Sequence, residues 1–277
     1  MRSLARLLSE PKGERMTDED RLSVAQIREL LAAAQGRALA PLLRRFDDDP
    51  RAGVKAALAA ARAHAEASRC ELRRTKRLYA LEQELRDHGY ELIAGIDEVG
   101  RGALAGPLTA AAVVLRAEPL IEGLDDSKRL TPQRREQLAA VVHRRAIAVG
   151  VAHVSPGEVD ALGMTAALRR VMGRAIEHLG ISVDHVVLDG LPLNVAESET
   201  AVVRGDQNVA AVAAASIVAK VARDALMRTL ALEYPSYRFE INKGYGTSEH
   251  LRVIARDGLC AVHRRSFTIG GGTETLF

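Results

Sequence analysis

Acidic residues follow strand-like apolar segments at three places in the chain. Asp97 and Glu98 end the first segment, Asp189 follows the second, and Asp206 comes shortly after the third. A single acid in such a place is typical of a helix cap or a turn. Three strands that lead into acids can instead gather carboxylates at one end of a sheet, where they hold divalent metal. No histidine or cysteine stands directly beside these acids, so the sequence predicts a site for Mg²⁺ or Mn²⁺ and not for Zn²⁺.

Two short motifs offer groups that could bind a nucleotide. Gly100, Arg101 and Gly102 come directly after the acid pair. Their glycines allow a backbone bend with exposed N–H groups beside a positive charge. Ser127 and Lys128 lie in a predicted loop and offer a hydroxyl and a cation for a phosphate. An ordinary capping turn explains these two residues equally well.

Tyr245 is one of few aromatic residues, since the chain has only five Tyr and four Phe and no Trp. It stands between two glycines in a predicted flexible loop, residues 243–247, and not in a core segment. An aromatic ring held in this way can stack on a sugar or a base, and anchoring of the loop is the alternative interpretation.

Other charged residues carry less specific signals. Asp224 follows Arg223 within a predicted helix, and we expect an internal ion pair there instead of a metal ligand. His263 and Arg264 belong to a basic C-terminal segment, for which contact with nucleic acid and a structural role both stay open.

The spacing of apolar residues predicts which elements carry these groups. After residue 88 the sequence predicts strands at 92–96, 108–115, 146–154, 185–188 and 201–203 and helices at 132–145, 164–179 and 208–232. This order is typical of an α/β domain with a mixed sheet. Before residue 89 it predicts only helices, at 51–87 and at 17–35, where Ser23 and Gln26 form a capping-box signature.

Composition excludes several protein classes. With 277 residues, 47% hydrophobic and 27% charged, the chain is an ordinary globular sequence and not a disordered one. Its longest uncharged run, residues 102–115, is shorter than the roughly 20 residues that span a bilayer. Its start lacks the pattern of a secretory signal, so we expect a cytoplasmic protein without membrane contact. Two distant cysteines indicate neither a disulfide framework nor a zinc site.

Positive charge is concentrated near the N-terminus. Residues 1–90 carry 18 Lys and Arg against 14 Asp and Glu, a net charge of +4, whereas residues 91–277 carry 21 against 22, a net charge of −1. A basic cluster on the second predicted helix consists of Arg69, Arg73, Arg74, Lys76 and Arg77. This cluster predicts either a solvated helix face or an arm that contacts the phosphates of a duplex.

A series of short motifs runs along residues 90–268. It begins with Gly-Ile-Asp-Glu-Val-Gly-Arg-Gly at 95–102 and Gly-Pro at 106–107. It continues with Asp-Ser-Lys at 126–128, Leu-Asp-Gly at 188–190, Gly-Asp at 205–206, an Ala-rich segment at 214–224, Lys-Gly-Tyr-Gly-Thr at 243–247 and His-Arg-Arg-Ser-Phe at 263–267. In order and spacing, this series resembles bacterial ribonuclease HII.

The resemblance implies a ribonuclease H-like fold, which is an α/β architecture with a five-stranded mixed sheet flanked by helices, here with a helical N-terminal extension. The implied domains are the extension at 1–88, a catalytic domain with a helical C-terminal part at 89–268, and a flexible tail at 269–277. The family's four acids fall on Asp97, Glu98, Asp189 and Asp206. They would hold two Mg²⁺ or Mn²⁺ ions, which activate a water and stabilise the leaving 3′ oxygen.

The implied activity is hydrolysis of the RNA strand of RNA·DNA hybrids and nicking of duplex DNA 5′ to embedded ribonucleotides, with a 5′-phosphate and a 3′-hydroxyl as products. In the family, the motif at Gly100, Arg101 and Gly102 reads the 2′-hydroxyl. Tyr245 matches the tyrosine that stacks on the sugar of the next nucleotide and favours a deoxyribose, and Lys128 would hold a phosphate. The implied partners are these two kinds of duplex, and we expect a monomer.

Particular residues disfavour three alternatives. Ribonuclease HIII is similar but replaces the arginine of the Gly-Arg-Gly motif and has a sheet-containing N-terminal domain, whereas this chain has Arg101 and predicted helices. A non-catalytic hybrid-binding protein of the same fold would be expected to lack one or more of the four acids. An actin-like kinase or ATPase would need glycine-rich phosphate loops after its strands.

Overall fold

The computed structural model describes residues 22–34 and 36–268. Contacts divide the chain into two compact units between Arg73 and Arg74. This division comes earlier than the predicted boundary at residue 88, so that residues 74–88 belong to the second unit. The predicted tail at 269–277 and the start of the first predicted helix, 17–21, lie outside the described residues.

The first unit is helical in its described part. Helix α1 spans Val24–Ala33, α2 spans Leu39–Phe46 after a 3₁₀ turn at Gly36–Ala38, and α3 spans Ala52–Leu78 and ends in the second unit. The predicted capping box is confirmed, because Ser23 Oγ accepts from the Gln26 N–H and Gln26 Oε1 accepts from the Ser23 N–H. The apolar faces of the helices form one buried cluster of Ile27, Leu31, Leu42, Phe46, Val54 and Leu58.

A break at Tyr79 divides the helix predicted at 51–87. Helix α4 follows it and spans Ala80–Asp87. The ring of Tyr79 is buried in the core of the second unit, and its hydroxyl accepts a hydrogen bond from the Ile121 N–H at 3.1 Å. The prediction of one continuous helix is wrong here, because these tertiary contacts outweigh local helix propensity.

Five strands form one mixed sheet in the second unit. They are β1 Ile93–Val99, β2 Leu108–Val114, β3 Ala148–Val154, β4 His185–Asp189 and β5 Glu199–Val202. Their order in the sheet is β3-β2-β1-β4-β5. The pairs β1–β2 and β2–β3 are antiparallel, whereas β1–β4 and β4–β5 are parallel. The predicted mixed sheet of five strands is confirmed.

The described part of the second unit also has seven helices after residue 131. They are α5 Pro132–Arg145, α6 Pro156–Leu162, α7 Met164–Glu177, α8 Gly205–Asn208, α9 Ala210–Glu233, α10 Phe239–Asn242 and α11 Ser248–Asp257, with a 3₁₀ turn at Pro235–Tyr237. The three longest, α5, α7 and α9, flank the sheet. The three predicted helices correspond to α5, α7 and α9, and the four shorter ones were not predicted. No helix in the described part of the chain has the length and apolar character needed to cross a membrane.

The strand β2 is buried on both faces by different helices. Ala111 and Val113 pack in a cluster with the alanines of α9, and Ala110 and Ala112 pack in another cluster with α7. Small residues permit close packing of α9 on the central strand, because a Cβ at Gly95 in β1 would clash with the α9 backbone. The long helix α9 therefore lies directly against the strand that carries the predicted acid pair.

A buried carboxylate from α4 binds the N-terminus of α9. Glu82 is 1% exposed, and its Oε1 accepts a hydrogen bond from the Ala211 N–H at 2.8 Å. Val209 precedes the helix and offers no side-chain cap, so Glu82 satisfies a backbone donor that the helix itself cannot. Burial raises the pKa of Glu82 to about 7, although the hydrogen bond from Ala211 acts in the opposite direction.

Glu82→Gln is expected to remove a pH dependence of stability. The pKa of Glu82 is about 7 in the folded protein against 4.5 without burial. Its contribution to stability is therefore fully present below pH 4.5 and is lost as the pH rises through 7. We expect the free energy of unfolding of wild type to fall by about 3 kcal/mol relative to that of the variant over this pH range. Urea unfolding of both proteins measures this difference, and parallel pH profiles would contradict the prediction.

Candidate functional site

Two neighbouring parallel strands bring Asp97 and Asp189 together. The last matched pair of β1 and β4 is Ile96 and Leu188, and each acid directly follows its member of that pair. Asp97 is 6% exposed, and its Oδ1 accepts a hydrogen bond from the Glu98 N–H at 2.8 Å. Asp189 ends β4 and is half-buried. The ends of these strands thus carry three of the four predicted acids.

Asp206 reaches the same place through a turn after β5. Arg204 has a left-handed backbone conformation with a φ of 57°, and α8 begins immediately after it. The Gly205 N–H donates a hydrogen bond to Asp189 Oδ1 at 2.6 Å. Asp206 is the next residue and is 5% exposed. This turn therefore adds the fourth predicted acid to the cluster.

The acids of the cluster disfavour one another's charged forms. Burial, followed by the charge of Glu98, raises the pKa of Asp97 to about 8, although a hydrogen bond from Ser216 opposes the shift. Burial also raises the pKa of Glu98, with Arg101 opposing the shift and Asp189 adding to it. The Arg101 guanidinium lies 3.9 Å from Glu98 Oε1. Asp97 and Glu98 thus lie close enough to other acids to resist ionisation.

Sequence reasoning missed Asp126 as a fifth acid of the cluster. Asp126 is 7% exposed, and its Oδ1 accepts a hydrogen bond from the Lys128 N–H at 2.9 Å. Burial, followed by the charge of Asp126, raises the pKa of Asp206 to about 6. The sequence signal for Asp126 was its place in the Asp-Ser-Lys motif. The prediction considered only the hydroxyl of Ser127 and the ammonium group of Lys128 in that motif.

The ammonium group of Lys128 provides positive charge beside these acids. Burial lowers the pKa of Lys128, but the charges of Asp126, Asp206, Asp97 and Asp189 outweigh burial and raise the pKa overall. The side chain is exposed at the same time. Lys128 is therefore able to meet a phosphate at the edge of the acid cluster.

The hydroxyl of Ser127 is not available to a phosphate. Ser127 is 4% exposed, and its Oγ lies 2.9 Å from Oγ of Ser216 on α9, which in turn bonds Asp97. Arg135 on α5 holds the same loop by donating to the Ser127 carbonyl at 2.9 Å. Of the two interpretations that the sequence left open, the structure disfavours phosphate binding by this hydroxyl, because it is buried and bonds Ser216.

The chemistry of the cluster fits a divalent cation. All of its carboxylates are oxygen donors. Burial and neighbouring acids raise the pKa values of Asp97, Glu98 and Asp206, and a bound cation would favour their charged forms. In the part of the chain that the structure describes, no three Asp, Glu, His or Cys side chains are arranged as ligands of one ion. Glu98 and Asp189 are only half-buried, so that an ion from solvent can reach them.

The Gly-Arg-Gly motif continues into a segment that lies beside the Tyr245 loop. Leu104 and Ala105 donate their N–H groups to the Gly244 carbonyl at 2.8 and 3.2 Å. Gly244 has a φ of 80°, and a Cβ at this position would clash with the Ala105 carbonyl. Tyr245 is half-buried, with the centre of its ring 5.5 Å from Cζ of Arg223. The structure thus joins two motifs that are far apart in the sequence.

His263 and Arg264 are buried, which decides the question that the sequence left open. Arg264 is 0% exposed and donates hydrogen bonds to the carbonyls of Arg101 and Gly106 at 3.0 Å. His263 is 2% exposed, and its Nε2 lies 3.0 Å from Nε2 of His250. Both residues hold the loops together and are not surface contacts for nucleic acid.

Asp224 forms the predicted internal ion pair. Its partners are Lys220 on the same helix, with Nζ at 2.7 Å, and Arg135 on α5, with Nη1 at 3.5 Å. The preceding residue, Arg223, donates instead to backbone carbonyls of the loops. Asp224 is therefore an element of packing between α9 and α5.

Comparisons with known proteins identify the family. A family model described as ribonuclease HII matches residues 94–269, and one described as ribonuclease HII N-terminal domain matches residues 23–86. The chain belongs to the ribonuclease HII family. The resemblance that the motifs predicted is confirmed, and this ribonuclease HII is a hydrolase, an endonuclease that acts on the RNA of RNA·DNA hybrids.

Two curated relatives match most of the chain. Ribonuclease HII of Geobacillus thermodenitrificans is 42% identical over 245 residues, which are 88% of this chain and 94% of the relative. Ribonuclease HII of Moorella thermoacetica is 48% identical over 202 residues, which are 73% of this chain and 98% of the relative.

Two solved structures share the fold over about two thirds of the chain. Ribonuclease H2 of Pyrococcus horikoshii is 25% identical with a TM-score of 0.55, over 64% of this chain and 94% of the other. Ribonuclease HII of Archaeoglobus fulgidus, solved in complex with PCNA, is 26% identical with a TM-score of 0.55, over 66% of this chain and 98% of the other. The predicted fold class is confirmed.

Proposed function

We propose that this ribonuclease HII nicks duplex DNA 5′ to embedded ribonucleotides, leaving a 5′-phosphate and a 3′-hydroxyl. The observation that carries the proposal is the cluster of Asp97, Glu98, Asp189 and Asp206 at the start of the Gly-Arg-Gly loop. Clustered carboxylates support hydrolysis of a phosphodiester by bound metal. The adjoining loop supports recognition of a single 2′-hydroxyl group.

The four acids would hold Mg²⁺ or Mn²⁺, and metal dependence is typical of the family. When bound, two such ions supply an activated water and stabilise the leaving 3′ oxygen. The protein holds the acids in place, since Ser216 bonds Asp97 and the Gly205 N–H bonds Asp189. Lys128 supplies positive charge for the phosphate of the substrate.

Gly100 and Gly102 have different parts in recognition of the ribose. Gly100 has a φ of 91°, and a Cβ there would clash with Arg223, so this glycine shapes the loop. A Cβ at Gly102 would meet nothing within 4 Å, and the residue is exposed. This open backbone supports close approach of the 2′-hydroxyl at Gly102, with Arg101 adding charge.

Gly102→Val is expected to impair activity more than Arg101→Ala. The valine side chain would fill the open space through which the ribose approaches, whereas Arg101 is exposed and its ion pair with Glu98 is long, at 3.9 Å. We expect kcat/KM to fall about 100-fold for the first variant and about tenfold or less for the second.

Steady-state kinetics on a duplex with one ribonucleotide measures both effects, and thermal unfolding provides the control. Gly102→Val should melt like wild type, because its added atoms enter open space. An equal kcat/KM for the two variants would contradict the proposed role of the motif.

Tyr245 would stack on the sugar that follows the ribonucleotide and favour a deoxyribose there. The Gly244 carbonyl of its loop accepts hydrogen bonds from the segment after the Gly-Arg-Gly motif. This connection supports recognition of the ribose and of the next sugar by adjacent parts of one site. An enzyme with this arrangement would prefer a junction from RNA to DNA over a continuous RNA strand.

The decisive experiment uses a DNA duplex with one internal ribonucleotide, incubated with and without Mg²⁺ or Mn²⁺. We expect a single nick on the 5′ side of the ribonucleotide, with a 5′-phosphate and a 3′-hydroxyl, and no cut in the all-DNA duplex. An RNA·DNA hybrid is the positive control. Cleavage of the hybrid without any nick at the single ribonucleotide would refute the proposal.

We further propose a monomeric enzyme in the cytoplasm, whose catalytic part includes residues 74–88 together with the predicted domain at 89–268. Size-exclusion chromatography with light scattering, on protein free of nucleic acid, tests the monomer. A stable mass of twice 29.9 kDa would contradict it.

A further inference from the structure

Arg223 lies between the segment that follows the Gly-Arg-Gly motif and the loop that carries Tyr245. It is 0% exposed, although a buried arginine is rare and costly unless it is fully bonded. Its Nε donates to the Pro107 carbonyl at 2.8 Å, and its Nη2 donates to the Ala105 carbonyl at 3.0 Å. Its Nη1 donates to the Lys243 carbonyl at 2.8 Å. One guanidinium therefore joins the segment after the Gly-Arg-Gly motif to the start of the Tyr245 loop.

The same guanidinium also contacts both motifs directly. Its Cζ lies 5.5 Å from the centre of the Tyr245 ring, in the range of a cation–π interaction. On its other side it fills the space in which a Cβ of Gly100 would lie. His250 holds the backbone of the loop separately, since its Nδ1 donates to the Tyr245 carbonyl at 2.9 Å. The contact with Arg223 therefore acts on the ring itself, whereas the hydrogen bond from His250 acts on the backbone.

We propose that Arg223 is a positioning residue that sets the Tyr245 ring against the Gly-Arg-Gly loop and thereby determines the preference for a deoxyribose after the ribonucleotide. The inference rests on the proposed function, because it requires Tyr245 to meet that sugar. A lysine cannot replace Arg223 in this role. Its ammonium group cannot bond three separated carbonyls while a planar face covers an aromatic ring.

Arg264 provides a matched control. It is also 0% exposed, and it bonds the carbonyls of Arg101 and Gly106 on the Gly-Arg-Gly side. Its guanidinium lies over the ring of Phe267 and not over that of Tyr245. Arg264→Lys therefore disturbs a buried arginine of the same region without removing the contact with the Tyr245 ring.

The experiment measures kcat/KM on two duplexes, one with a ribonucleotide followed by DNA and one with a ribonucleotide followed by RNA. Their ratio is the junction preference. We expect Arg223→Lys to lower this ratio about tenfold and Tyr245→Leu to lower it at least as much. The junction preference of the double variant should fall no further than that of Tyr245→Leu alone, because both substitutions remove the same contact between Arg223 and the Tyr245 ring. Arg264→Lys should slow both reactions and keep the ratio.

Additive losses in the double variant, or an unchanged ratio for Arg223→Lys, would overturn the inference. Circular dichroism checks that each variant is folded at the assay temperature. If Arg223→Lys does not fold, Arg223→Gln replaces it, and loss of the fold in both would show a purely structural role and overturn the inference as well. A wild-type protein that cuts hybrids without nicking at a single ribonucleotide would instead refute the proposed function, and the inference with it.

Discussion

Asp97→Asn is expected to abolish cleavage and to leave the fold intact. The asparagine keeps the size of Asp97 and can still accept the hydrogen bond from the Glu98 N–H, but it removes the charge that would hold divalent metal. We expect kcat on an RNA·DNA hybrid to fall on the order of 10³-fold or more. Stability should not decrease, because burial and Glu98 already disfavour the charged form of Asp97.

Asp224→Asn is the matched control for this experiment. Asp224 is also a buried acid near the sheet, at 8% exposure, but it is paired with Lys220 and Arg135. Its substitution should cost about 1–3 kcal/mol of stability, because two cations lose their partner, while cleavage continues. Initial rates and thermal unfolding separate the two variants. Cleavage by Asp97→Asn at nearly the wild-type rate would contradict the assignment of Asp97 to the catalytic site.

Removal of residues 1–88 is expected to prevent stable folding, whereas removal of residues 1–73 should leave the second unit folded. Leu78 and Tyr79 are buried in the core cluster that includes the alanines of α9, and Glu82 binds the N-terminus of α9. Truncation of one such large buried side chain costs about 2–5 kcal/mol. Loss of all of them is comparable with the whole stability of a domain, about 5–15 kcal/mol.

Thermal unfolding of the two truncated proteins measures this effect. The shorter truncation should show one cooperative transition and retain cleavage, and the longer one should lack a transition or aggregate. Equal melting temperatures would contradict the prediction and would favour the boundary at residue 88.

The shorter truncation also tests whether the first unit helps to bind a duplex, as its basic residues suggest. Arg69 and Arg73 are exposed but both pair with Glu66, which reduces the charge they present. If the unit contacts phosphates, its removal should raise KM and flatten the salt dependence of binding, with kcat retained. An unchanged salt dependence would mean that Arg69 and Arg73, which this truncation removes, do not contact phosphates of the duplex.

Local chemistry in the sequence was enough to predict much of the site. Asp97 and Asp189 each follow a run of apolar residues directly, and parallel neighbours with matched ends place such residues side by side. The capping box at Ser23 and the ends of α5 were equally predictable, because their hydrogen bonds join residues three or four positions apart. The motifs also predicted the family, and the family model confirms it.

The sequence by itself therefore determined the family, the mixed sheet and the order in which its acids occur, whereas only the tertiary structure decided how distant residues complete the site. Ser127 bonds Ser216 across 89 positions, and Glu82 bonds Ala211 across 129. Such contacts leave no periodic pattern in the chain. A buried arginine such as Arg223 looks like surface charge in a sequence, because burial becomes favourable only where the fold supplies carbonyls for its donors.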